Sequence, residues 1–289
     1  MLSYVLTLGL LALTAHAGNL QIPPQHYIVG GVQASPGEYP SQLSLQYNEV
    51  HRCGASIISE HFALTTAYCV CVEECFDQVK PKDPPENFKT IFKLISGTND
   101  LQSTDRVIHD IKSIAIKETY VGEANSWAND IAVIEVEVRS NFDSSLFIDL
   151  HKGPPGTGIE SPETAVKIVG WGSETEGGPM SDILLEADLA VHDFTTCNER
   201  YVEFGATLQD NLHICAAAVD GKRGSCEGDN GGPLLYMDEA AGPVVVGLMS
   251  WGLGCARPGY PAVYARTSSH CDWIKANTND TVICISTSH

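Results

Sequence analysis

Basic residues are scarce in this chain: 17 Lys and Arg stand against 36 Asp and Glu, for a formal charge of −19 over 289 residues. The few cations are scattered. Nucleic acid and anionic membrane both require clustered basic side chains, so neither is expected as a partner, whereas a cationic target is left open. Long apolar runs are also lacking. Past the opening MLSYVLTLGLLALTAHA, no segment offers the roughly 20 uninterrupted apolar residues that a membrane span needs. Helical periodicity is nearly absent too, which argues against any bundle. Only Ser269-His270-Cys271-Asp272-Trp273-Ile274-Lys275-Ala276 reads as a helix, with Ser269 its expected N-cap.

The apolar opening has no charged side chain and ends Ala15-His16-Ala17, a small-x-small pattern. Residues 1–17 therefore read as a signal peptide, and a secreted, extracellular protein starting near Gly18 is expected. All ten cysteines lie beyond it, an even number suited to disulfides in an oxidising compartment. The cluster Cys69, Cys71, Cys75 has no nearby fourth ligand, so no metal is expected there. Short alternating bursts, such as Gln42–Gln46, Ala132–Val138 and Val166–Gly170, are bounded by Gly, Pro, Asn and Asp and read as many short strands. The Gly- and Pro-rich stretch from His151 to Gly158 reads as a linker between two halves.

The stretch Cys226-Glu227-Gly228-Asp229-Asn230-Gly231-Gly232-Pro233 flanks Asn230 with glycines. Such a turn aims one side chain and several N–H groups at one point. Nucleophile sites are built this way, yet a carboxamide nitrogen is delocalised and does not attack a carbonyl.

Several motifs supply the context for that turn: Ile28-Val29-Gly30-Gly31, Cys53-Gly54-Ala55-Ser56, Leu64-Thr65-Thr66-Ala67-Tyr68-Cys69, Asn129-Asp130-Ile131-Ala132, Gly170-Trp171-Gly172 and Ser250-Trp251-Gly252-Leu253-Gly254-Cys255. Together and in this order, they resemble the chymotrypsin/trypsin-like serine protease family, from Ile28 to about Ala276. The resemblance implies an all-β protein of two Greek-key β-barrels, about 28–150 and about 151–268, then a helix at about 269–277 and a tail at 277–289. The composition of the C-terminal half is similar to that of arthropod gut and haemolymph proteases.

By the same resemblance, Asn230 occupies the position of the nucleophilic Ser and Tyr68 that of the His general base, and only Asp130 of the triad remains. A phenol with pKa of about 10 is a poor base at neutral pH, so no active catalytic residue is expected. The Tyr68 hydroxyl is expected to bond to Asp130. Ser225 and His61 are too far along the chain to substitute. Gly228 and Asn230 would keep the N–H groups of an oxyanion hole. Asp229 would accept the ammonium of Ile28 once residues 18–27 are cut away, but Tyr27 is not the Arg or Lys a trypsin-like activator needs. The pocket would have Gly224 at its base, Ser225, Gly252 and Ala262 as walls, and Glu227 at its rim. That pocket is neutral and suits small or apolar side chains. Ser250, Trp251 and Gly252 would form an open strand edge beside it.

The resemblance further implies disulfides Cys53–Cys69, Cys197–Cys215 and Cys226–Cys255. Local pairing of the rest gives Cys71–Cys75 and Cys271–Cys284, with a bridge from the tail helix to the Cys71 loop as the alternative. The segment Gly97-Thr98-Asn99-Asp100 lacks the Glu of a calcium loop, so no metal or other cofactor is expected. Asn279-Asp280-Thr281 is a glycosylation acceptor. The leading expectation is a secreted, monomeric pseudoprotease whose partners are proteins, held as extended segments in the old cleft or competed for as protease ligands. The alternatives are an endopeptidase with residual or unrecognised hydrolytic activity and a storage or structural secretory protein.

Overall fold

The computed structural model describes residues 28–71 and 84–286. The expected signal peptide, the segment 18–27 and Cys75 lie outside the described residues. Two curled β-sheets with few helices make up the rest, as expected for a trypsin-like fold. The seven-stranded sheet runs in the order Val107–His109, Phe92–Ser96, Gln42–Tyr47, Val50–Ile57, Phe62–Thr65, Ala132–Val136, Ile111–Ile116. The second runs Val32–Gln33, Leu185–Val191, Ala165–Gly170, Pro233–Asp238, Gly242–Trp251, Ala262–Arg266, His213–Ala217. It closes on itself where Ala190 and Val191 pair with Ala217 and Ala216. Val32–Gln33, from the N-terminal half, pairs antiparallel with Leu185–Glu186 of this second sheet, and Asp149–Leu150 runs parallel to Val244–Val245. The chain therefore crosses between sheets at both ends of its first half.

The alternating strands do not place their polar sides in water. Along Gln42–Tyr47 the polar residues Gln42, Ser44 and Gln46 are as buried as Leu43 and Leu45. Their side faces the Cys226–Pro233 turn: Ser44 Oγ is 2.8 Å from His51 Nδ1, and His51 Nε2 is 3.0 Å from the Gly228 carbonyl. Buried polar groups favour hydrogen-bond partners, and those of Ser44 and His51 join the first sheet to the turn, whereas the Gln42 carboxamide has none among the described residues.

Two helices correct the reading from sequence. The tail helix runs Cys271–Asn277 after a 3₁₀ turn at Ser268–His270, and Ser269 does not cap it, since its hydroxyl donates to the Asn211 carbonyl instead. A helix at Phe194–Val202 was not expected. It is capped by Asp193, whose carboxylate accepts from the Thr196 N–H at 2.8 Å, and it buries Cys197 and Tyr201.

Four disulfides appear as expected: Cys53–Cys69, Cys197–Cys215, Cys226–Cys255 and Cys271–Cys284. The last settles the tail helix locally rather than on the Cys71 loop. Cys71 is also disulfide-bonded, though its expected partner, Cys75, lies outside the described residues.

The last residue of strand Ala262–Arg266 forms a buried ion pair. Arg266 is 2% exposed and donates to Glu160, 1% exposed, and through Nη2 to the His213 carbonyl at 2.8 Å. The Ser268 hydroxyl adds a donor to Glu160 at 2.8 Å.

Candidate functional site

The site lies between the sheets, where the Cys226–Pro233 turn meets the end of strand Gly242–Trp251 and the short helix Ala67–Val70. Glycine makes the turn possible. Gly231 has φ +75°, and a Cβ there would stand 2.2 Å from Thr65 Oγ1 and 2.5 Å from the Gly54 carbonyl. Gly172 is equally constrained, because its Cβ would meet the Asp229 carboxylate at 2.3 Å. The Gly170-Trp171-Gly172 motif is thus the cradle of that carboxylate.

Asp130 is fully buried. Its Oδ1 accepts from the Tyr68 N–H at 2.8 Å and its Oδ2 from the Ser250 hydroxyl at 2.6 Å, with the Ala67 N–H a further donor. Burial pushes its pKa up to about 6 against the pull of these bonds. The Tyr68 phenol is not among the partners of Asp130, contrary to expectation. Asp130 is satisfied without it, and the Arg52 guanidinium stands over the Tyr68 ring at 5.5 Å. Arg52 also donates to the carbonyls of Cys69 at 2.9 Å and Cys71 at 3.0 Å.

At the tip, Asn230 Nδ2 donates to the Ser250 carbonyl at 2.5 Å, and the Asn230 carbonyl accepts from the Gly54 N–H at 2.8 Å. The strand edge expected to be open therefore has its first acceptor filled. The N–H groups of Gly228 and Asn230 donate to no protein atom among the described residues, which leaves both for an anionic or carbonyl oxygen.

Asp229 accepts from the Gly172 and Cys226 N–H groups, each at 2.9 Å, and has no cationic partner among the described residues. Ile28 is fully buried, but in the uncut chain its nitrogen is an amide, and the expected ion pair with Asp229 is not formed. Burial pushes Asp229 up to about 7, with the nearby Glu227 charge adding to the shift. The folded state then keeps a proton that the unfolded chain, with its value near 3.8, releases. The stability contributed by this proton is present at low pH and is lost as pH rises toward 7. Asp229→Asn cannot ionise, so its melting temperature should rise relative to wild type between pH 4 and 7 and stay level above. A difference that does not vary with pH would mean that Asp229 ionises freely in the fold. Buried histidines such as His51, lowered to about 4, titrate the opposite way but cancel in this comparison.

His51 was not singled out from the sequence, because it reads as one residue of a strand. A carbonyl only accepts, so Nε2 must carry the proton given to Gly228 O, and neutral Nδ1 accepts from Ser44. With both nitrogens committed and burial opposing its charge, His51 is a structural tie. His61 precedes strand Phe62–Thr65 and Tyr68 follows it, so the strand separates them. The hydroxyl beside Asp130, that of Ser250, is buried and bonded to it.

The expected pocket residues border two adjoining cavities. One, of about 260 Å³, is lined by Tyr68, Ser225, Glu227, Asn230, Ser250, Trp251 and Gly252, together with Trp127 and Met249. The other, of about 300 Å³, has Gly224, Ser225, Gly252 and Ala262 in its wall. Sequence reading missed Met249, which takes the Ser225 hydroxyl on its sulfur at 3.0 Å, and Trp127, whose ring is 4.9 Å from that of Trp251. Glu227 converges with Cys226 and Cys255, but these sulfurs are joined in a disulfide and offer no thiolate to a metal.

Residues 28–274 match the family model described as Trypsin. The chain is 34% identical over 258 residues to Trypsin-1 of Astacus astacus, covering 86% of this chain and 99% of that protein. It is 35% identical over 270 residues to Trypsin zeta of Drosophila erecta, covering 88% and 86%. Against Transmembrane protease serine 11C of Mus musculus it is 33% identical over 253 residues, covering 88% of this chain and 54% of that protein. The chain belongs to the trypsin-like serine protease family. Among the described residues, no helix is long and apolar enough to cross a membrane.

Proposed function

We propose that this chain is a secreted, non-catalytic member of its family that acts by holding extended segments of partner proteins in the cleft, or by competing for protease ligands. One observation carries the reading: a carboxamide stands at the tip of the turn, its nitrogen bonded to Ser250, with Tyr68 rather than an imidazole beside Asp130. Proteolysis by this family's chemistry needs a hydroxyl and a base that act as a unit, and loss of the nucleophile alone removes a factor of about 10⁶ in turnover. What is left can bind: two free N–H donors, a cleft of about 260 Å³ and an aromatic wall. Purified protein, intact or cut between Tyr27 and Ile28, should hydrolyse no peptide ester or amide and should not be labelled by serine-directed phosphonates. The named relatives, which are trypsins and other serine proteases, favour a second reading as an endopeptidase. Stoichiometric phosphonate labelling at any serine would decide for it.

A further inference from the structure

The hydrogen-bond ladder at the mouth of the cleft ends in a side chain. The Met249 N–H donates to the Gly232 carbonyl at 2.8 Å, the Gly231 N–H to the Met249 carbonyl at 2.7 Å, and the next rung is Asn230 Nδ2 to the Ser250 carbonyl at 2.5 Å. Because a carbonyl only accepts, the carboxamide nitrogen must face Ser250, with Oδ1 turned away. The main chain of Asn230 cannot easily retreat. Its carbonyl is held by Gly54, and Gly231 is packed against Thr65 and the Gly54 carbonyl. Past this rung, Trp251 and Gly252 line the cavity, and Gly252 makes no hydrogen bond among the described residues.

A segment that adds to a strand edge lays its own N–H donors on free acceptors. One lone pair of the Ser250 carbonyl is taken by a donor that is covalently in place, and with Ser250 only 3% exposed the other has almost no surface to offer an entering N–H. An entering peptide N–H would be desolvated there without a partner, a loss of about tenfold or more in affinity. A residue without an N–H suffers no such loss. Proline is that residue, and prolines also dock against aromatic walls such as the one Trp127, Trp251 and Tyr68 provide here. In the same lining the Ser225 hydroxyl is bonded to the Met249 sulfur, and Glu227 is the one charged side chain.

We infer that the cleft selects extended segments carrying proline, or another N-substituted residue, opposite the Ser250 carbonyl, and that Asn230 is the specificity-determining residue. The inference rests on the peptide-binding reading above. It is tested by selecting a displayed library of random peptides on the full wild-type chain and on Asn230→Ala. Proline should be enriched at one position in the wild-type pool and not in the variant pool. A recovered peptide should lose about tenfold on wild type when that proline becomes alanine, and keep its affinity when it becomes N-methylalanine. This comparison needs only the wild type, so it stands even if the variant misfolds. No proline enrichment in the wild-type pool overturns the inference, and equal preference in both proteins overturns the role of Asn230. Gly252→Trp separates the two claims: its added Cβ meets nothing closer than 3.7 Å, so the fold tolerates it while the indole obstructs the cleft. If Gly252→Trp abolishes binding but the proline preference survives Asn230→Ala, only the role of Asn230 falls. If recovered peptides bind Gly252→Trp undiminished, or none are recovered from either protein, the cleft is not a peptide site and both claims fall.

Discussion

Tyr68→His combined with Asn230→Ser, with Arg at position 27 so that a trypsin-like activator frees Ile28, should turn the protein into a hydrolase. The frame for it is in place. Asp130 is oriented by two N–H groups and the Ser250 hydroxyl, and the Gly228 N–H is unengaged. The His should be worth about 10²–10⁴-fold over Asn230→Ser alone, since a positioned base supplies that much and a serine without one gains little. Removing Asn230 also frees the Ser250 carbonyl for substrate. Ester and amide hydrolysis across a panel of side chains would measure both rate and preference. Small or apolar residues should be favoured, because Gly224 and Ala262 offer no charge. Preference for Lys or Arg would reject the pocket assignment, and no gain from the His would mean that residue 68 does not face Asp130.

The largest loss of stability should follow from breaking the buried pair. Arg266→Met would leave Glu160 buried without its guanidinium, which costs about 3–5 kcal/mol, and Glu160→Met should cost less, because Asp210 stays 3.6 Å from Arg266. The double variant should recover most of that loss, because neither charge then remains in the interior. Denaturant unfolding of the three proteins would show the non-additivity. A single variant within about 1 kcal/mol of wild type would show that water reaches the pair and screens it.

Much of this architecture was legible because it is local. The turn glycines and each of the motifs sit in short stretches of chain, and Tyr68 and Asn230, where the resemblance implies a His and a Ser, are single letters. What stayed hidden depends on distance. Glu160 and Arg266 are 106 residues apart in sequence, and nothing near either one names the other. Trp127 sits in a loop whose backbone takes left-handed φ at Ser126, Trp127 and Asn129, so no periodicity announces where its ring goes. The helix Phe194–Val202 begins with β-branched threonines, which lower helix propensity, and Asp193 is its one clear start signal. The bond from Asn230 to Ser250 was also out of reach, since a strand edge looks open in sequence whatever side chain folds back on it.

The clamp around residue 68 has a wider consequence. Arg52 holds the carbonyls of Cys69 and Cys71, Asp130 holds the Tyr68 amide, and Cys53–Cys69 ties the neighbouring residue to the adjacent strand. None of these contacts uses the Tyr68 side chain. Position 68 is a socket whose shape is specified independently of what is plugged into it, and the main chain at Asn230 is fixed in the same way by Gly54 and Gly231. Instructions for shape and instructions for chemistry are therefore written in separate residues. A lineage can erase the second without disturbing the first, and whole-chain resemblance, which is nearly all shape, has almost no power to tell which members of such a family still cut.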